Sequence, residues 1–63
     1  MKTFEIVYDE LLVDRLVTAW LLAIDGREIW FAKSVSEIDE VSKTITVPEW
    51  LLLKENLEGY IND

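Results

Sequence analysis

The sequence predicts an α+β domain: a small antiparallel sheet built on a β-hairpin, joined by two further strands and packed by a C-terminal helix. Three observations predict it. Asp25-Gly26 sits between two apolar runs, and a type I′ hairpin turn favours this dipeptide because both central residues need positive φ. Phe4, Ile6 and Tyr8 alternate at period two, and Thr44-Ile45-Thr46-Val47 is a short β-branched run; both patterns suit strands. Pro48-Glu49 then precedes a leucine-rich stretch. Proline is tolerated in a helix's first turn, and a negative charge there complements the macrodipole.

Taken in order, the N-terminal strand covers the Phe4–Tyr8 alternation. The next stretch, 9–20, supports two readings. Leu12, Leu16 and Trp20 recur at helical spacing and Asp9 can cap, which favours a short helix or turn over about 9–15. Val17–Ile24 suits a buried strand. The hairpin is therefore placed at about 17–24 and 27–32, with Ile24 opposite Arg27, Leu22 opposite Ile29 and Trp20 opposite Phe31. Trp30 then faces Leu21 on the other side. Ser34-Val35-Ser36-Glu37 fits a capping box for a short helix, while a strand or loop through Glu37-Ile38-Asp39 fits nearly as well. Ser42-Lys43 reads as a turn before the 44–47 strand. The final helix, starting at Pro48, is expected to bury Trp50, Leu53 and Leu57 on one face, widened by Leu51 and Leu52, and to stop at Gly59. Tyr60 to Asp63 is expected to fray unless Tyr60 or Ile61 docks.

The chain has 63 residues, room for one domain (1–63), with 13 acids against 6 bases and a formal charge of −7. Hydrophobic residues make up 51%, too many for a disordered acidic tail. Without Cys there is no disulfide or thiolate chemistry, and without His no imidazole base. The nine uncharged residues from Leu16 to Ile24 fall far short of the roughly 18 that span a bilayer. No apolar segment follows Lys2 to form a secretory signal, so a cytoplasmic protein without membrane contact is expected.

Asp25-Gly26-Arg27-Glu28-Ile29-Trp30-Phe31-Ala32-Lys33-Ser34 resembles the middle of a family of small bacteriophage-encoded proteins of unknown function. Ile45-Thr46-Val47-Pro48-Glu49-Trp50-Leu51 is similar to their C-terminal element, and the two matches together cover about 22–57. Ala32 stands where those proteins usually carry Pro, and Asn56 stands near their usual Gly, which bears on the length of the helix. The resemblance implies a phage origin, hence a host-cell cytoplasm, and a hairpin-plus-helix domain. It supplies no catalytic residues.

Carboxylate pairs such as Glu37 with Asp39 or Glu55 with Glu58 arise by chance among 13 acids, and no partner His or Cys supports them, so no catalytic residue is assigned. Glu37, Asp39 and Glu40 lack the Gly-interrupted spacing of a calcium loop; no metal or cofactor is expected. Trp20 and Trp50 read as core, and Trp30 divides evenly between core and interface. Charge is uneven: residues 1–33 hold six acids and four bases, residues 34–63 seven acids and two bases. Half the weight goes to simple solubility. The sharper reading is a partner-binding set of Trp30, Glu37, Asp39, Glu40, Glu55 and Glu58. Such an acidic array substitutes for nucleic-acid phosphates on a basic, nucleic-acid-handling host protein, in the manner of a DNA mimic or anti-defence inhibitor. The alternative is an accessory module binding single-stranded nucleic acid through stacked aromatics with Arg15, Arg27, Lys33 and Lys43. The net charge disfavours direct nucleic-acid binding. Pairing as a homodimer is compatible with either reading.

Overall fold

A computed structural model describes residues 2–61. The strands are β1 (Thr3–Val7), β2 (Glu10–Arg15), β3 (Ala19–Ile24), β4 (Arg27–Ala32), β5 (Glu37–Asp39) and β6 (Thr44–Pro48). Helix α1 (Glu49–Lys54) and a 3₁₀ turn (Glu58–Tyr60) follow. The fold is α+β, and the strands form two three-stranded antiparallel sheets, β1-β6-β5 and β2-β3-β4, rather than a single sheet. The change of sheet occurs between two adjacent residues. Tyr8 N–H donates to the Lys43 carbonyl (3.0 Å), extending the first sheet, and Asp9 N–H donates to the Ala23 carbonyl (2.8 Å), extending the second. Ile6, Tyr8, Leu22, Ile24, Ile29, Phe31, Ile45, Val47, Leu51, Leu52 and Leu57 form one shared core.

The hairpin has the expected register, Ile24↔Arg27, Leu22↔Ile29, Leu21↔Trp30 and Trp20↔Phe31. Asp25 (φ 51°) and Gly26 (φ 79°) both adopt the left-handed conformation that the tight turn demands. Trp20 packs only partly into the core, with the Lys33 ammonium 5.1 Å above its ring.

Residues 10–15 form a strand, not the short helix or turn expected for about 9–15. Leu11 pairs with Leu22 and Val13 with Leu21, so Leu12 is an extra residue in a β-bulge. The bulge breaks period two along β2, so the strand shows no clean alternation in sequence. Pairing also satisfies the backbone groups on the second edge of β3, which a helix there would leave open. Asp9 does not cap a helix; its carboxylate accepts the Asp25 N–H of the hairpin turn (2.8 Å). The Ser34 capping box is likewise not formed. Ser36 is the working hydroxyl, buried and donating to the Ala32 carbonyl (2.6 Å), and Glu37–Asp39 pairs with β6 so that Ile38 reaches the core.

Helix α1 is short and presents a different face from the expected one. Leu51, Leu52 and Leu57 are buried, while Trp50 and Leu53 are 50% and 55% exposed. Pro48 is both the end of β6 and the residue flanking the helix, so the strand sets the phase at which α1 meets the core. The helix ends at Lys54, not at Gly59. Asn56 takes φ 58°, Leu57 N–H donates to the Leu52 carbonyl (2.9 Å), and Asn56 N–H donates to the Leu53 carbonyl (3.2 Å). This is a Schellman motif, with the accompanying apolar contact supplied by buried Leu57 and Leu52. Asn56 is thus the left-handed residue, a conformation Asn tolerates better than most side chains. Ile61 docks through a bridge to Ile6 on β1, and Tyr60 docks through its hydroxyl. The remainder of the tail, Asn62 and Asp63, lies outside the described residues.

Candidate functional site

The sheet β1-β6-β5 turns Ile6, Ile45 and Ile38 inward as one row; in the two neighbouring rows the edge-strand residues are exposed, while Thr44 of the central strand is buried. One of these rows is Glu5–Thr46–Glu37 and the other is Val7–Thr44–Asp39. Glu37 and Asp39 therefore share a side, about 6.6–6.8 Å apart at the strand rise. Glu5 joins them across β6, about 9.6 Å from Glu37 at two strand spacings. All three are exposed, as is Glu40 in the turn that follows, and neither row contains a Lys or Arg.

The four acids are not equivalent. Asp39 Oδ1 accepts the N–H groups of Val41 (3.0 Å) and Ser42 (3.3 Å), closing the turn that leads to β6. Those hydrogen bonds, from Ser42 first and Val41 second, hold its carboxyl below the usual range. Among the described residues, Glu5, Glu37 and Glu40 accept no such hydrogen bonds. Behind them, burial pushes the Tyr8 phenol up, and the charges of Glu40 and Asp39 push it further.

The remaining predicted residues lie elsewhere. Glu55 and Glu58 do not share a helix face, because the Schellman turn at Asn56 separates them. Glu55 flanks the C-terminus of α1 and faces Arg27, whose Nη2 donates to its carbonyl (2.8 Å) and lies 4.0 Å from its carboxylate. Glu58 is exposed in the 3₁₀ turn. Trp30 is 45% exposed on the outer face of the other sheet, with the Arg15 guanidinium 5.1 Å above its ring. The structure thus brings Glu37, Asp39 and Glu40 together, adds Glu5, and leaves Trp30, Glu55 and Glu58 apart. Glu5 was accessible from the sequence: an inward Phe4–Ile6–Tyr8 alternation turns position 5 outward. What the sequence lacked was the pairing of β1 and β5 to opposite edges of β6.

A shallow, open cleft of about 460 Å³ runs between Asp9, Asp25 and Tyr60. Its polar groups are mutually committed: Asp25 N–H donates to Asp9, and Tyr60 Oη donates to Asp25 Oδ2 (2.7 Å), which together with burial raises the Tyr60 phenol. Among the described residues, no group of three acids, His or Cys is arranged to hold a metal ion, and no helix is long and apolar enough to cross a membrane.

Compared with known proteins, the chain matches no family model, no curated protein and no solved structure.

Proposed function

We propose that this chain is a non-catalytic interaction protein of phage type that docks its acidic sheet face on the basic surface of a nucleic-acid-handling host protein, inhibiting or modulating it. The observation that carries this reading is the clustering of Glu5, Glu37 and Asp39 on one face of β1-β6-β5, with Glu40 beside them and no cation in the same rows. A surface that grips phosphates with Lys and Arg meets on this face the charge it is built to bind. Steering by such a face gives fast association that weakens with salt. The resemblance of the hairpin and the Pro48 element to small phage proteins supports a host protein as the target.

The test is affinity capture from host lysate at low and high salt, using the native chain and a Glu5→Lys/Glu37→Lys/Glu40→Lys variant as baits. Asp39 is spared because it closes the β5–β6 turn. The native bait should retain a basic nucleic-acid-binding protein at low salt, and the folded variant should lose it. Equal retention by both baits would sink the reading.

The single-stranded nucleic-acid reading has one specific support, the Arg15–Trp30 stack. Two of its other three cations are engaged. Lys33 donates to Asp14 and to the Leu16 carbonyl (2.9 Å), and Arg27 serves Glu55. A low-salt gel shift with single-stranded DNA and RNA separates the two readings.

A further inference from the structure

Among the described residues nothing covers the outer face of β2-β3-β4, and its charge pattern complements itself. Leu22, Ile24, Ile29 and Phe31 point into the core, so the alternate residues face outward. They form three rows across the strands: Arg15–Ala19–Ala32, Val13–Leu21–Trp30 and Glu10–Ala23–Glu28. The middle row is entirely apolar, and Val13 and Trp30 are exposed. Leu16 and Val17, in the turn beyond the Arg15 end, are 89% and 85% exposed and enlarge the apolar surface. One end of the face carries a cation and the other carries two carboxylates.

We infer that this face binds a second copy of the same chain. A twofold axis lying between the two sheets, perpendicular to the strands and over the middle row, keeps β2 on β2 and reverses the strand direction. Val13, Leu21 and Trp30 then meet their own counterparts, Ala19 lies over the second copy's Ala23, and Arg15 leaves its place 5.1 Å above the Trp30 ring to lie over the second copy's Glu10. The operation is isologous, so each charge match occurs twice. Sheets packed face to face keep their strands within about 30° of alignment, at about 10 Å separation. The rows span about 13 Å along the strands and about 10 Å across them. With side chains, this gives on the order of 900 Å² of total buried area, below the roughly 1,200–2,000 Å² of stable specific interfaces, so the dimer is a weak, transient one. The acidic faces of β1-β6-β5 end up on the two far sides of the pair, where they do not repel across the contact. This pairing does not rest on the proposed acidic docking, which uses the opposite sheet.

Sedimentation equilibrium over a concentration series tests it, with circular dichroism to verify folding of each variant. The native chain should pass from monomer to dimer as concentration rises. Arg15→Glu faces Glu10 with a like charge, and Glu10→Arg faces Arg15 likewise; each should weaken association at least about tenfold. The double variant Arg15→Glu/Glu10→Arg restores the match and should recover dimerisation, which a merely structural role for Arg15 would not produce. A native chain that stays monomeric throughout overturns the inference, and so does an Arg15→Glu chain as dimeric as the native one. A monomeric chain whose tryptophan emission is quenched by single-stranded DNA also overturns it, assigning the face to nucleic acid.

Discussion

Truncating Leu52 to Ala removes a side chain that is buried in the core and also completes the Schellman contact with Leu57. Leu-to-Ala changes at buried sites cost about 2–5 kcal/mol. A 63-residue domain has roughly 3–9 kcal/mol of stability in total, so the loss is a large fraction of what holds the fold. Helix α1 adds little resilience, because six residues are too few to form a helix on their own and depend on this packing. Leu53 is the matched control: same residue type, same helix, adjacent position, but 55% exposed. Leu53→Ala should change stability by about 0.5 kcal/mol or less. Urea unfolding followed by circular dichroism checks the pair. With a slope near 1 kcal/mol per molar for so small a protein, Leu52→Ala should lower the midpoint by about 2 M or more, and Leu53→Ala by about half a molar at most. A Leu53→Ala variant as unstable as Leu52→Ala would refute the assignment and restore the Trp50–Leu53–Leu57 face that helical spacing suggests.

Gly26→Ala should destabilise the fold through the backbone alone, by about 1–2 kcal/mol, read as a lower melting temperature, since the new methyl meets nothing within 4 Å while φ stays at 79°. Asn56→Gly should hold or raise stability and Asn56→Ala should lower it by up to about 1 kcal/mol, both read by thermal unfolding, because position 56 is left-handed. Asp39 is held below its ordinary value of 3.8 by its turn hydrogen bonds, so its contribution is present above about pH 4 and is lost as pH falls through the depressed native value. The melting-temperature gap between the native chain and Asp39→Asn should therefore close on acidification; a gap independent of pH would contradict the turn role.

How much of the site was legible depended on how local each relation was. Glu37 and Asp39 share a side because of strand alternation within three residues, and the sequence supports that directly. Glu55 and Glu58 share a face only if a helix continues through position 56, and the left-handed Asn56 ends it. Glu5 joins Glu37 through β6, a relation between residues 32 positions apart that no local pattern contains. Trp30 was placed opposite Leu21 by the hairpin turn, but its exposure depends on whether another described element folds over that sheet, and none does.

By itself the sequence determined the hairpin and its register, the strands at the N-terminus and near 44–47, a helix directly after Pro48 and the acidic balance. Each follows from short-range chemistry: the φ values of Asp-Gly, period two, and the fixed geometry of proline. Only the tertiary structure decided that the strands divide into two sheets, that 10–15 pairs with β3 around a bulge, and that Leu51 and Leu52 displace Trp50 from the core. Those outcomes turn on which face an element presents to its neighbours. A one-residue bulge or a fixed helix phase changes that face without altering the local preferences the sequence displays.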